Sequence, residues 1–292
     1  TRSLVGIFGQ AGLDLQLDGS AAAEVLDAST SLGGGVHGWA HRVRVGAGAR
    51  ATLLLRQFSS GQTLDAQSLD VELEPGSQLT LVRVADAGSP ATQLCQTRIV
   101  QGRDTELRLV DLMIGSGRSR HELEIRLDAP GAQTTLHALA MPQGQGQTDL
   151  QLRLVHGAVQ GNSRAYLRAV AGEQTRATLS GRIVVSEGAC KTDSEQHMAS
   201  LLLSPRAEVN AKPDLEIYND DVKCAHGASF GQLDEDALYY LRARGLDTDT
   251  ARGLLTYAFA QHVLGQVPHA GLQQWLTRRL IGQLPVSLDA LA

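Results

Sequence analysis

The sequence predicts a mainly β protein that ends in a small helical domain. Between about residue 40 and residue 222, short segments are apolar at every second position, the period of a strand with one buried face. These segments recur roughly every 8 to 14 residues, with turn-forming residues between them. After residue 231 the apolar spacing becomes helical. The change of period predicts a boundary between two kinds of structure.

The β region leaves three architectures open, because a sandwich, a barrel and a solenoid all fit the spacing. Similar segment lengths, small residues in the turns, and repeated outward charge at Glu122, Glu124 and Arg126 favour a solenoid. The alternating segments are 43–45, 51–55, 71–73, 79–84, 106–109, 122–127, 150–154 and 182–185. Turn signals lie at 46–48, 75–76, 115–117, 129–131, 144–146 and 171–172.

A first helix is predicted over residues 235–244. Asp234 is suited to cap its first turn, and Leu233 and Leu238 are spaced as a hydrophobic staple around that cap. Gly245 follows the last helical residue, where glycine commonly ends a helix.

Two more helices are predicted downstream. Thr248 or Asp249 caps the second, Gly265 ends it, and Pro268 opens the third. The expected apolar face of the second helix comprises Leu254, Leu255, Ala258, Phe259 and His262. That of the third comprises Leu272, Trp275, Leu276 and Leu280.

The predicted organisation has three parts. Residues 1–39 form an N-terminal segment of mixed character, with a weak helical pattern at 21–25 and a loop at 31–35. Residues 40–227 form the β domain, and residues 228–292 form the helical domain.

Composition excludes some classes of function. The chain of 292 residues has a net charge of −5 and no basic stripe, so nucleic acid is not an expected partner. No apolar segment is long enough to cross a membrane, and no signal peptide is evident. Three widely spaced cysteines, Cys95, Cys190 and Cys224, favour a reducing, cytoplasmic location over a disulfide framework.

Cys224 and His226 form the main candidate for chemistry. In a strand, two residues that are two apart point to the same face. Thiolate and imidazole bind iron, iron–sulfur clusters and zinc, yet one Cys-x-His pair is only half of a four-ligand site. Simple packing of a cysteine beside a surface histidine is the alternative. A nucleophilic Cys–His pair is disfavoured, because such pairs usually come from distant segments. Cys190 is a further possible ligand, with structural packing as its alternative.

Several ordered motifs resemble the SufB/SufD family of the SUF iron–sulfur cluster assembly system. They are Gly181-Arg182-Ile183-Val184-Val185, Lys191-Thr192-Asp193, Leu201-Leu202-Leu203-Ser204, Lys212-Pro213-Asp214-Leu215-Glu216-Ile217, Asp221-Val222-Lys223-Cys224-Ala225-His226-Gly227-Ala228 and Leu238-Tyr239-Tyr240-Leu241-Arg242-Ala243-Arg244-Gly245. The Lys-Pro-x-Leu-Glu-Ile and Cys-x-His-Gly-Ala forms resemble the SufD branch of that family.

The resemblance implies a right-handed parallel β-helix with a C-terminal helical domain. It also implies a non-catalytic scaffold subunit of a SufBCD complex, which supports iron acquisition, cluster assembly and transfer to apo-proteins. Cys224 and His226 would lie at the contact with a SufB-like subunit, which binds through the β-helix. No cofactor is expected to stay bound to the isolated chain, and iron or an iron–sulfur cluster would be held transiently in the complex.

A SufC-like ATPase is expected to dock on the C-terminal helices. The residues expected at that surface are Leu238, Tyr239, Leu241, Arg242, Arg244, Gly245, Leu254 and Phe259. A homodimer is a further possibility when SufB is absent. The competing functions are a structural subunit without cluster ligands and a β-helix protein that acts on carbohydrate.

Overall fold

The computed structural model describes residues 9–19, 23–282 and 284. Over these residues the chain is a parallel β-solenoid of about seven turns, followed by three helices. The predicted mainly β class with C-terminal helices is therefore confirmed.

The strands of the solenoid are mostly ten residues long and follow one another with short turns between them. They are β1 (Gly9–Ala11), β2 (Asp14–Leu17), β3 (Ala23–Ser31), β4 (Gly35–Val45), β5 (Arg50–Ser59), β6 (Thr63–Leu73), β7 (Gln78–Ala87), β8 (Thr92–Gln101), β9 (Glu106–Gly115), β10 (Arg118–Leu127), β11 (Gln133–Pro142), β12 (Gln147–His156), β13 (Asn162–Ala171), β14 (Arg176–Val185), β15 (Asp193–Leu202), β16 (Glu208–Ile217) and β17 (Lys223–Gly231).

Successive strands alternate between two parallel sheets. Sheet A runs in the order β1-β4-β6-β8-β10-β12-β14-β16, with β2 also paired to β4, and sheet B runs β17-β15-β13-β11-β9-β7-β5-β3. Pairing is in register, so equivalent residues of consecutive turns stack on one another. Arg118, Gln147 and Arg176, for example, form one such row.

The core lies between the two sheets, because inward and outward side chains alternate along each strand. Leu53, Leu81, Leu109, Ile125 and Leu154 are among its fully buried members. Stacked rows of this kind bury a continuous apolar column that no single turn could bury alone.

One turn shows why glycine is needed between these strands. Gly115 has φ 108°, and a Cβ there would lie 2.3 Å from the Ala87 carbonyl oxygen of the adjacent turn. Glycine therefore allows both the left-handed conformation and the close approach of the two backbones.

Three helices follow β17: α1 (Glu235–Ala243), α2 (Thr248–Leu264) and α3 (Ala270–Ile281). The Asp234 carboxylate accepts hydrogen bonds from the first turn of α1, which confirms the predicted cap. The cap of α2 is Asp247 rather than Thr248 or Asp249, while Gly265 ends that helix as predicted.

The helices cover the outer face of sheet B. Leu112, Leu139 and Val170 of the sheet share a second apolar cluster with Leu238 and Leu276 of the helices. Arginine side chains join the two parts by hydrogen bonds: Arg168 donates to the Phe259 carbonyl, Arg252 donates to the Leu203 carbonyl, and Arg279 pairs with Asp86 at 2.6 Å.

The N-terminal segment differs from its expected mixed character. Its described residues form β1 to β3 and the start of β4, which stack on the same two sheets. The weak helical prediction for residues 21–25 is wrong for residues 23–25, because these belong to β3. Residues 21 and 22 lie outside the described part of the chain. At the other end, β17 runs to Gly231, beyond the predicted boundary at 227.

Among the described residues, no helix combines the length and the apolar character needed to cross a membrane.

Candidate functional site

The candidate site lies on β17, which is an edge strand of the solenoid. β17 pairs with β15 on one side, and no described strand pairs with its other side. β16 occupies the equivalent position in sheet A, where it pairs only with β14 among the described strands. Within the described part of the chain, the final turn therefore presents two strand edges that pair with no other strand, and such edges are templates for pairing with another chain.

Cys224 and His226 occupy the same face of this edge strand, as the sequence predicts. Their register partners on β15 are Ser194 and Gln196, both of which are fully buried between the sheets. Cys224 is half-buried and packs against the main core, whereas His226 is exposed. Both side chains thus lie on the inward-facing row at the point where the solenoid stops covering it.

The environment of Cys224 favours the neutral thiol in this chain. Burial raises the pKa of the Cys224 thiol, and the nearby Asp193 carboxylate raises it further, while a hydrogen bond from the Ser194 backbone acts in the opposite direction. A metal ion or another cation would therefore be needed to stabilise the thiolate that acts as a ligand.

Cys190 lies in the preceding turn of the same corner but is engaged in a different contact. The Asn219 side-chain amide donates to its sulfur at 3.3 Å. Beside it, Lys191 pairs with Asp221 at 2.7 Å. Cys190 is thus part of the turn structure below β17, on a row other than that of Cys224.

The open end of the solenoid also exposes large apolar side chains. Phe230, on the same face of β17 as Cys224, is 54% exposed, and Tyr218 after β16 is 61% exposed. Exposed aromatic residues next to unpaired strand edges mark a surface suited to a protein partner.

The residues predicted for ATPase docking are divided between surface and interior. Leu238 is buried in the core of the helical domain, and Leu241 and Phe259 are partly buried against that core. Leu254 is half-buried. The exposed members of the set are Tyr239, Arg242, Arg244 and Gly245.

Within the described residues, no group of three or more His, Cys, Asp or Glu side chains is arranged to hold a metal ion.

A buried ionic cluster inside the solenoid was not predicted from the sequence. Arg83 contacts Asp111 at 2.7 Å, and His121 contacts the other oxygen of Asp111 at 2.6 Å. His121 also reaches Thr97 at 2.8 Å, and Thr97 lies 3.8 Å from the Cys95 sulfur. The only signal of this cluster in the sequence is the strand alternation, because each of these residues lies at an inward-facing position of its strand.

The members of this ionic cluster shift one another's pKa values. Burial alone would raise the pKa of the Cys95 thiol, but Arg83 and His121 outweigh burial and lower the pKa to about 7. Burial would also raise the pKa of Asp111, yet His121 and Arg83 hold it well below its usual range. The buried Cys95 therefore lies in a charged environment.

The fold and the edge-strand pair define a class of protein: a parallel β-solenoid whose open end carries a thiol and an imidazole on one face of an edge strand. The family model described as SUF system FeS cluster assembly, SufBD core domain, matches residues 32–259. The chain therefore belongs to the SufBD family, and it resembles SufD.

Individual relatives agree with the family match. The chain is 33% identical over 204 residues to an iron–sulfur cluster assembly SufBD family protein of Synechocystis, covering 70% of this chain and 45% of the relative. It is 28% identical over 247 residues to the iron–sulfur cluster assembly protein SufD of Escherichia coli, covering 84% and 58%. The chain thus spans about half the length of these curated relatives.

Proposed function

We propose that this chain is a SufD-like scaffold subunit in SUF iron–sulfur cluster assembly. In this role Cys224 and His226 supply one chain's share of a transient iron or cluster site, and a SufB-like subunit supplies the rest. The observation that carries the proposal is the position of both side chains on one face of an unpaired edge strand. The cluster is the cargo of the complex, and this chain performs no catalytic step.

The donor types suit this cargo. Thiolate sulfur binds iron–sulfur clusters, and imidazole replaces thiolate on iron in some of them. A site divided between two chains also releases its cargo more readily than a complete site in one chain. Its ligand set depends on how the two chains are apposed, so a rigid-body rotation can open or close it.

The partner surface is supported by the open end of the solenoid. β17 carries one charged side chain, Lys223, and is otherwise small, apolar or neutral apart from His226. Natural edge strands usually carry charged residues or proline, which prevent them from pairing with other chains. Addition of a partner strand to β17 would satisfy its free backbone groups and cover Phe230.

The SufC-like ATPase is assigned to the exposed side of α1. Tyr239 is 74% exposed and Tyr240 is 57% exposed, and the Arg244 guanidinium lies 5.2 Å from the Tyr240 ring centroid. Tyrosine and arginine are enriched at the energetic centres of interfaces. Three residues connect β17 to α1, and one of them, Leu233, is buried in the helical core. Movement of the docked ATPase would therefore act directly on the strand that carries Cys224.

The test is cluster assembly on the reconstituted three-protein complex. Cys224→Ala and His226→Ala are made separately, and each complex is loaded with iron and sulfide without oxygen. We expect both variants to lose most of the cluster absorbance. Ser229→Ala, on the same strand but the opposite face, is the matched control and should assemble normally.

Co-purification of the three proteins is measured in the same samples. Intact complexes with reduced cluster yield support a ligand role. Full cluster yield from both variants would contradict it and would leave Cys224 and His226 as packing residues of a structural subunit. Failure of the wild-type chain to bind either partner would contradict the scaffold assignment itself.

A further inference from the structure

Three rings stack in a row on the outer face of sheet B. His137 on β11, Tyr166 on β13 and His197 on β15 are register partners in consecutive turns. The ring centroids of His137 and Tyr166 lie 4.9 Å apart with 17° between the ring planes, and those of Tyr166 and His197 lie 5.5 Å apart with 10° between the planes. Neighbouring strands are about 4.8 Å apart, so strand pairing sets the spacing of these rings.

The row is packed at one end and exposed at the other. His262 of α2 lies against the packed end, with its ring centroid 5.7 Å from those of His137 and Tyr166. His137 is buried, whereas the His197 side chain is 53% exposed and contacts the Glu195 carboxylate at 3.3 Å. Tyr166 covers one face of the His197 ring. The other face therefore points along the row toward β17.

The next position of the row is Gly227 on β17, the register partner of His197. Its φ lies outside the left-handed region, so the backbone conformation does not require glycine. The pairing of β15 with β17 keeps one register along its length, so there is no bulge at this position. A Cβ at Gly227 would have no atom of the described part of the chain within 4 Å.

Glycine inside a strand weakens that strand, because it packs no side chain and loses the most backbone entropy on folding. Gly115 and Gly181 are explained by contacts within the chain, since a Cβ there would meet the Ala87 carbonyl and the Gln196 side chain. Gly227 has no such contact. Where a strand glycine marks neither a bulge nor a bend, it often marks the close approach of another molecule.

We propose that the SufB-like subunit places an aromatic side chain over Gly227, where its ring stacks on the exposed face of His197. This side chain belongs to the strand that pairs with the free edge of β17, because an aromatic residue on a neighbouring strand can cover an edge glycine. A ring is the expected occupant because it continues a row of nearly parallel rings, and stacked aromatic pairs attract each other. The contact rests on the proposed function and adds a residue type at one position of the partner strand.

The experiment measures binding of the purified SufB-like subunit to this chain by titration calorimetry, without iron or sulfide. His197→Ala removes the ring that receives the partner's side chain. We expect its dissociation constant to rise about 2- to 12-fold, the range that aromatic pairs contribute in double-mutant cycles. His197→Phe keeps a flat ring and should bind nearly as the wild type does.

A second variant, Gly227→Tyr, fills the same place with a ring of this chain. Since a side chain there meets open space and tyrosine favours strands, the variant should unfold in urea at a midpoint no lower than that of the wild type. Its ring would cover His197, so binding of the partner should weaken. Ala225→Tyr is the matched control and should bind normally, because Ala225 is exposed on the same face of β17 but lies beside Glu195.

The aromatic residue itself is identified from the partner's side. Each aromatic residue of the strand that pairs with β17 is replaced by Ala in turn. One replacement should weaken binding to the wild-type chain and have no further effect on binding to His197→Ala, since the two residues act through one contact.

Wild-type affinity of both His197→Ala and Gly227→Tyr would overturn the proposal, as would equal weakening by Ala225→Tyr. It would also be overturned if His197→Ala changed only the self-association of this chain, because the occupant would then be a second copy. These outcomes leave the ligand role of Cys224 and His226 intact, since the cluster assay uses other variants. A wild-type chain that does not bind the SufB-like subunit would reject the scaffold assignment together with this contact.

Discussion

Arg83, His121 and Asp111 place two basic groups and one carboxylate inside the solenoid, with the Cys95 thiol beside them. Burial and Arg83 lower the pKa of His121, but Asp111 and Cys95 outweigh them and raise it. A protonated His121 beside Arg83 leaves one positive charge that Asp111 cannot balance. The lowered pKa of Cys95 is the electrostatic response, since a thiolate there makes the cluster neutral.

Replacement of Asp111 tests this charge balance. Asp111→Asn keeps the shape of the side chain but leaves Arg83 and His121 without their carboxylate, and we expect the free energy of unfolding to fall by about 3–5 kcal/mol. Urea denaturation at pH 7 measures it. The exposed pair of Arg44 and Glu72 provides the control, because Glu72→Gln should cost about 0–1 kcal/mol.

The effect of Asp111 depends on pH in a defined direction. The pKa of Asp111 is lower in the folded chain than in the unfolded chain. The stability that the Asp111 carboxylate contributes is therefore fully present above its pKa in the unfolded chain, about 4. This stability is lost progressively as the pH falls from there toward the lower pKa of the folded chain. The difference between wild type and Asp111→Asn should shrink in acid, and a constant difference across this range would contradict the assignment.

Residue-scale features of the site were only partly visible in the sequence. The shared face of Cys224 and His226 follows from strand period alone and was predicted. The Arg83–Asp111 contact was not, because these residues are 28 positions apart and meet only through the register of β7 and β9. The local sequence of a strand does not determine its register with the next turn.

Among the strands, the residue types at the inward-facing positions explain which strands could be recognised from the sequence. β10 alternates strongly, because its outward positions are all charged and three of its five inward positions are leucine or isoleucine. β8, β11 and β13 were not recognised. Most of their inward residues are polar or small, such as Gln93, Ala138 and Ala165, so the alternation in hydrophobicity is weak.

Helix α2 packs through a different face from the predicted one. The large residues Leu254, Leu255 and Phe259 are only partly buried. The residues that are fully covered are mostly small: Ala251, Gly253, Thr256, Ala260, Val263 and Leu264. Sheet B already presents large outward side chains such as Leu139 and Met141, so close approach of the helix requires small residues on its inner face.

This packing makes Ala260 intolerant of a larger side chain. Ala260 is 1% exposed in the cluster between α2 and sheet B. We expect Ala260→Leu to overpack that contact and to lower the free energy of unfolding by about 1–3 kcal/mol. Ala258→Leu, on the exposed side of the same helix, should have little effect. Equal denaturation midpoints for the two variants would contradict the observed orientation of α2.

At the scale of the whole molecule, the solenoid and the helices bring two proposed partner surfaces together. β17 carries Cys224 and His226 at the open end, and three residues later α1 begins beside the exposed tyrosines. The Arg168, Arg252 and Arg279 contacts hold the helices to the solenoid. A force on the helices would therefore reach the edge strand over a short path.

The general arrangement was predictable because a change of apolar period at residue 231 separates strands from helices. The N-terminal extension of the solenoid was not predicted, because β1 and β2 are short and the residues around β3 include several alanines. Stacking on the next turn, rather than local sequence, determines their structure.

The proposed function requires that His226, together with Cys224, ligates a cluster held between two chains. Pulsed electron paramagnetic resonance of the reduced, cluster-loaded complex tests it, with ¹⁵N-histidine incorporated only in this chain and unlabelled partners. We expect a ¹⁵N coupling to the cluster that disappears in His226→Gln. Absence of the coupling in the wild-type complex, or its persistence in His226→Gln, would contradict the claim.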